Sequence, residues 1–253
     1  MIYATGDTHG SFGRRFSKKN FLAQMKMTKD DYLIICGDFG CIWENDPENK
    51  EEQYWLKWFN ERPYTLLFVD GNHDNHERLA SYPVEKWNGG KVHRIRDSVF
   101  HLMRGQVFNL CGKKVFTFGG ASSHDIRDGI LEPDDPDIKQ KIKELKRRHA
   151  LYRVNHISWW AAELPTKEEM QEGIDNLRRN NNRVDYIITH CASTSTQEIV
   201  KGSKTYKADV LTDYFERIKN TVEYDKWIFG HYHDYVEVNE EETLVYDEII
   251  KLC

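Results

Sequence analysis

One pattern constrains this chain more than any other. A short apolar run stops, and a polar loop carrying Asp, Asn or His follows at once. This happens five times. Ile2–Thr5 precedes Gly6, Asp7, Thr8 and His9, and Tyr32–Cys36 precedes Gly37 and Asp38. Thr65–Val69 precedes Asp70, Gly71, Asn72, His73 and Asp74. Val184–Thr189 precedes His190, and Lys226–Phe229 precedes Gly230, His231, Tyr232 and His233. Runs of this length, bounded by turn residues, are the mark of buried strands. Strand ends in α/β folds gather along one edge of a sheet, where ligands bind. Residues as distant in sequence as Asp7 and His233 can then converge, which requires one closed core.

The remaining segments fit that frame. Phe21, Leu22 and Met25 have helical spacing, with Ser17 as a candidate cap. Asp46 and Pro47 are expected to open a helix bearing Tyr54, Trp55, Trp58 and Phe59. Val92–Ile95, Val99–Leu102, Gln106–Leu110 and Lys114–Phe118 form a series of short predicted strands. Ile138, Ile142, Leu145, His149 and Tyr152 share a helical face, and Thr166 with Glu169 forms a candidate capping box. A further helix is predicted around Leu211–Ile218, and closing strands around Tyr235–Val238 and Leu244–Tyr246. Alternating strands and helices favour a layered α/β fold, and the strand series adds antiparallel pairing, so the sheets are expected to be mixed. The chain is expected to form one domain over residues 1–253, with a helical insertion at about 121–183.

The loop residues suit a metal. Carboxylate, amide oxygen and imidazole together favour borderline or hard divalent ions. Asp7 and His9 are two apart, as are His231 and His233, so an extended backbone would put each pair on one face. The glycines before Asp7, Asp38, Asn72 and His231 would permit tight turns. A lone Asp-x-His or His-x-His is ordinary surface chemistry. The ordered set of five, each after an apolar run, is not.

That set resembles the calcineurin-like metallophosphoesterase superfamily over residues 7–233. The resemblance implies a four-layer αββα sandwich, two mixed β-sheets flanked by helices. It implies two divalent metal ions, Mn²⁺ in first place and Fe or Zn²⁺ as alternatives, with Asp38 bridging them. Asp7, His9 and His233 would complete the first site, and Asn72, His190 and His231 the second. A metal-bridging water would attack the phosphate ester, His73 would protonate the leaving group, and Asp74 would orient His73. The family's protein phosphatases carry an Arg soon after the second motif. Here Phe39, Gly40, Cys41, Ile42, Trp43 and Glu44 follow, and the third motif ends in Asp74 rather than Glu. A protein-phosphatase activity is therefore not expected.

Substrate contacts must come from other residues. The loop Gly119–Arg127 offers His124 and Arg127 as candidates. Arg14 and Arg15 are expected to be exposed, and His76 to cap or pack a short helix. Cys36 and Cys191 are expected to be buried small residues rather than nucleophiles. Trp159 and Trp160 are expected to pack the insertion on the core. Residues 139–153 hold seven basic side chains, Arg153 among them, against the single acid Glu144, and are expected to form a solvated helix face.

Composition narrows the partners. A net charge of −5 excludes a generally basic nucleic-acid surface, so extended nucleic-acid binding is not expected. Five cysteines without a Cys-x-x-Cys spacing disfavour a disulfide scaffold and a thiolate zinc site. No apolar run approaches the roughly 20 residues needed to span a bilayer, and no signal peptide is expected from the N-terminal residues. The expected protein is a cytoplasmic hydrolase without a membrane partner, acting on a small-molecule or nucleotide phosphate ester. A nuclease or cyclic-nucleotide phosphodiesterase is the alternative, and a non-catalytic scaffold the third possibility.

Overall fold

The computed structural model describes residues 1–47, 49–202 and 206–253. In chain order the elements begin with β1 (Ile2–Thr5), β2 (Tyr32–Cys36), α1 (Lys50–Asn60), β3 (Thr65–Val69) and α2 (His76–Ala80). The strands β4 (Val84–Trp87), β5 (Gly90–Arg96), β6 (Val99–Leu102), β7 (Gln106–Leu110) and β8 (Lys113–Phe118) follow. Next come β9 (Ile130–Leu131), α3 (Ile138–Arg147), β10 (Arg153–Val154) and α4 (Lys167–Arg179). The chain closes with β11 (Tyr186–Thr189), α5 (Thr194–Lys201), α6 (Val210–Thr221), β12 (Lys226–Phe229), β13 (Val236–Glu237), β14 (Glu242–Leu244) and β15 (Ile249–Lys251).

Two mixed sheets result. One has the order β15-β1-β2-β3-β6-β5-β4, the other β13-β14-β12-β11-β8-β7. β1, β2, β3 and β6 run parallel in the first, and β8, β11, β12 and β14 in the second. Antiparallel partners lie at the edges, as β15, β7 and β13 show.

Strand alternation sorts the apolar side chains into layers. On β2, Leu33 and Ile35 join Leu56 and Phe59 of α1, with Phe12, Phe16 and Phe39. Ile34 and Cys36 point the other way, into a cluster with Ile2, Leu67, Val69, Phe108, Val115, Ile188 and Ile228, between the two sheets. Phe116, Ile187 and Phe229 face Leu211, Phe215 and Ile218 of α6 and Leu177 of α4. These three clusters make four layers, helix-sheet-sheet-helix, the expected sandwich. Each fully buried Phe or Leu contributes about 2 kcal/mol of hydrophobic stabilisation, so this layering outweighs any single local preference.

Several local expectations need correction. The Phe21–Met25 segment is a short 3₁₀ turn over Leu22–Lys26, and Ser17 is not its cap. α1 starts at Lys50, three residues after Pro47, because Asn49 accepts hydrogen bonds from the N–H groups of Glu51 and Glu52. The capping box at Thr166 and Glu169 is formed. The 121–183 segment is not wholly helical. Its amphipathic helix α3 stops at Arg147, short of Tyr152, and buries no side chain. Beyond a left-handed His149 the chain becomes β10, which pairs parallel with β9. α4 belongs to the outer helical layer, since Met170, Ile174 and Leu177 pack with α6. β4, β15, α5 and the β9–β10 pair were not expected.

Candidate metal centre

The parallel strands end along one edge, and their loops meet there. Asp7 follows β1, Asp38 follows β2 and Asn72 follows β3. His190 follows β11 and His231 follows β12. The loops are tied to one another by backbone groups. Thr8 N and His9 N donate to Asp38 O at 3.0 and 2.9 Å, and Gly230 N donates to His190 O at 2.9 Å. His231 N donates to Asp7 Oδ1 at 2.8 Å, and His73 N to Asp38 Oδ1 at 2.7 Å.

Ligand-capable atoms of Asp7, His9, Asp38 and His233 lie within 4.8 Å of one another. His9 Nε2 and His233 Nε2 face each other at 2.9 Å. Among the described residues, Asp7 Oδ2 is buried without a hydrogen-bond partner, and the ring nitrogens of His233 at 3.1 Å and His9 at 3.7 Å stand beside it. A buried carboxylate oxygen without a donor is costly unless a cation satisfies it. The residues present therefore fit a metal ion.

Asp38 also reaches the other half of the group. Its Oδ1 lies 3.3 Å from His190 Nε2, while Oδ2 lies 3.7 Å from His9 Nε2. His190 Nε2 is 3.2 Å from Asn72 Oδ1, and the His190 and His231 rings stand 4.9 Å apart. His190 Nδ1 meets Cys36 O at 2.8 Å, the contact that orients a metal-binding imidazole and leaves Nε2 facing the site. Burial opposes a proton on His190, but Asp38 and Asp7 prevail and raise it to about 10. Burial also opposes charge on Asp38, yet His190, His73 and His9 hold its carboxyl far below the usual range.

The backbone here differs from the sequence expectation. His9, Asp38, His231 and His233 all have left-handed φ, at 44°, 49°, 72° and 51°. The pairs Asp7/His9 and His231/His233 therefore converge through strained turns, not through extended alternation. The motif glycines mainly make room. A Cβ on Gly71 would meet Asp38 Oδ1 at 2.1 Å, one on Gly37 would meet His190 Nδ1 at 2.1 Å, and one on Gly230 would meet Asp7 Oδ1 at 2.3 Å.

His73 stands beside the group, its ring 4.8 Å from that of His9 and 5.9 Å from Trp43, which stacks on it. Burial, opposed by Asp38 and aided by Arg153, lowers His73 to about 4. Asp74, expected to orient it, has no described contact with its ring. Its carboxylate accepts from Gly71 N at 2.9 Å, Gly40 N at 2.9 Å and Phe39 N at 3.3 Å, and so closes the loop between the second and third motifs. Burial and the neighbouring Asp38 push it up to about 7. Arg153 also meets the His73 ring, with Nη2 2.8 Å from Nε2 and 3.3 Å from Nδ1.

His124 is exposed, with its ring 5.9 Å from His231 and 5.2 Å from Tyr206. Arg127 is exposed and, among the described contacts, does not touch the group. Arg15 is not merely exposed. It donates to Gly6 O and Asp7 O at 2.8 Å each and pairs with Asp247, bracing the first motif. His76 begins α2 and is buried beside Asp70, which Arg104 and His101 also hold. Cys36 and Cys191 are buried, and burial raises both thiols. Trp160 is buried against Trp43, their rings 5.4 Å apart. Sequence reasoning counted Arg153 in a basic helical strip. The signal against that was local, for Tyr152-Arg153-Val154 is a strand-like run past the end of the helix.

Two grooves flank His9. One of about 240 Å³ is lined by Trp43, Trp55, Glu44 and Asn49. The other, about 800 Å³, is lined by Asp7, Arg14, Arg15 and Tyr246.

Oxygen and nitrogen donors gathered where parallel strands end make a set suited to a borderline or hard divalent ion. The family model of calcineurin-like phosphoesterases matches residues 1–235, so the chain belongs to that family. Among curated proteins it is similar to lariat debranching enzyme A of Xenopus laevis, 24% identical over 144 residues, which are 52% of this chain and 26% of that one. Lariat debranching enzyme of Danio rerio is 21% identical over 160 residues, 57% of this chain and 27% of its own. The chain thus spans about a quarter of the length of these relatives. Among solved structures, a phosphopantetheinyl hydrolase from Mycobacterium tuberculosis superposes with a TM-score of 0.43 and 14% identity, covering 97% of this chain and 89% of its own. Among the described residues, no helix is long and apolar enough to cross a membrane.

Proposed function

We propose that the chain hydrolyses a small-molecule or nucleotide phosphate ester with two divalent ions, Mn²⁺ preferred, and that Asp38 is their shared ligand. Asp7, His9 and His233 would hold one ion, and Asn72, His190 and His231 the other. The observation that carries this is Asp38, whose two carboxylate oxygens face His190 at 3.3 Å and His9 at 3.7 Å. When bound, such ions supply Lewis acidity toward the phosphoryl group and acidify water at the site. The chain's own residues do the rest. Asp38 keeps both halves of the donor set together, and the amides on Asp74 keep the loop from opening. His73 is the group that holds or moves a proton for the departing oxygen, a contribution of about 10²–10⁴-fold in rate. The free cysteines, most of them buried, suit a reducing compartment, and we place the protein in the cytoplasm.

A phosphodiesterase acting on nucleotides is the second reading. The similarity to lariat debranching enzymes favours it, as do grooves on both sides of His9, which give each substituent of a diester its own channel. Turnover of chromogenic phosphomonoester and phosphodiester substrates by Mn²⁺-loaded protein separates the readings. Hydrolysis of neither, with metal bound in a stoichiometry of two, would refute both. Steep loss of nucleotide affinity with salt would favour the nuclease form.

A further inference from the structure

The insertion carries a residue with no assigned role at a position that matters. Arg153 is 5% exposed although it is an arginine. Its Nε and Nη2 each donate to Asp125, at 2.7 Å to Oδ1 and Oδ2 respectively, and Nη1 donates to Ser158 O at 2.7 Å. The same Nη2 lies 2.8 Å from Nε2 and 3.3 Å from Nδ1 of His73. A donor on the in-plane lone pair of one ring nitrogen would stand about 5 Å from the other, so the guanidinium nitrogen lies over the ring face. The arginine packs on the imidazole and fixes where the ring can turn.

Arg153 is not carried on a free loop. It lies on β10, in register with Ile130 of β9. The surrounding segment is fastened to the sandwich at several points. Asn45 donates to His156 O at 3.1 Å, Arg104 donates to Ala162 O at 2.8 Å, and Ser123 is hydrogen-bonded to the buried Glu163. Trp43 stacks on the His73 ring and also meets Trp160. Asp74, the side chain expected to orient His73, is committed to backbone amides.

We propose that Arg153, braced by Asp125, is the positioning residue for His73. It sets the ring's orientation, so that the inserted segment completes the active site. This rests on the reading above, in which His73 serves the leaving group. An Arg–Asp pair that only stapled the insertion would not depend on His73, and the test uses that difference.

Arg153→Gln, Arg153→Lys and Asp125→Asn are made in the whole chain, alone and with His73→Ala. Metal content is measured for each, and Asp125→Asn covers the case in which loss of Arg153 impairs folding. With an alkyl phosphate, Arg153→Gln is expected to lower kcat about 10–100-fold with KM nearly unchanged, as for residues that orient a functional imidazole. Lysine should restore part of it. In the His73→Ala background the same change should cost less than about twofold, because residues that act as a unit are not additive. Ring ¹⁵N spectra of Zn²⁺-loaded protein should show one ordered set of His73 signals, shifted or broadened in Arg153→Gln. Equal losses in both backgrounds, an effect confined to KM, or an unchanged ring spectrum would overturn the proposal. If the wild type turns over no ester, the phosphoesterase reading fails separately, and the ring spectrum still decides what Arg153 does.

Discussion

Gly71→Ala puts the geometry of the site to a direct test. Gly71 has φ outside the left-handed region, so alanine can adopt its backbone without strain. The cost is space alone. The new Cβ would lie 2.1 Å from Asp38 Oδ1, 2.4 Å from Asp38 N and 2.8 Å from His190 Nε2. Ordinary contact begins at 3.4 Å, so Asp38 Oδ1 must retreat by about 1.3 Å, the difference between the two distances. Metal sites tolerate ligand displacements of about 0.2 Å, so a shift several times larger should disrupt binding. We expect Mn²⁺ affinity to fall by about 10–100-fold. Overpacking should also destabilise the fold by about 1–3 kcal/mol. The control is Gly112→Ala, where φ is +77° and nothing lies within 4 Å, so that only backbone strain of about 1 kcal/mol is added. Equilibrium dialysis with metal analysis measures the first effect. Urea unfolding with and without saturating Mn²⁺ measures the second, and the stabilisation by metal should shrink in Gly71→Ala alone. Wild-type metal affinity and an unchanged unfolding midpoint in Gly71→Ala would refute the reasoning.

Other outcomes follow from the same geometry. Asp38→Asn should abolish turnover and lower bound metal, since the proposed shared ligand loses its charge; full activity would contradict the assignment. His73→Ala should leave metal content unchanged and slow an alkyl leaving group about 10²–10⁴-fold, while a nitrophenolate is slowed far less. Asp70 and Arg104 form a buried ion pair at 2.5 Å, and Arg104→Met should destabilise the chain by about 3–5 kcal/mol by taking from Asp70 its permanently charged partner. Burial opposes charge on Asp70, but Arg104 and His101 hold it well below 3.8. Its stabilising contribution is therefore present above about pH 3.8 and is lost as pH falls through the lower folded value. Arg104→Met reverses that sign, because the unpaired buried carboxyl moves upward, so its stability should improve from pH 7 to pH 5 relative to wild type. Denaturant midpoints across that range measure it.

Much of this protein is visible in one dimension, for a definite reason. A buried parallel strand must be a continuous apolar run, and it must stop where the sheet edge meets solvent. Tyr32–Cys36 with Asp38, and Thr65–Val69 with Asn72, therefore declare themselves without an alignment. The capping box at Thr166 is equally local, since its partners are three residues apart. Elements that depend on distant partners were not legible. β15 is a strand because Ile249, Ile250 and Lys251 pair with Thr5, Ala4 and Tyr3. β9 and β10 are two residues each and exist only as a pair.

The site divides along the same line. Sequence determined which residue types stand at each strand end, and with them the donor chemistry and the family. Tertiary structure decided how they meet. It put four of the proposed ligand residues into left-handed turns and pressed glycines against the proposed ligands of other motifs. It turned Asp74 from a partner of His73 into a clasp on three amides, and it brought Arg153 across from the insertion to the ring instead. Strand periodicity and residue chemistry act between neighbours in sequence, so a sequence records them. A carboxylate chooses among donors by distance and burial, which do not exist until the two sheets close.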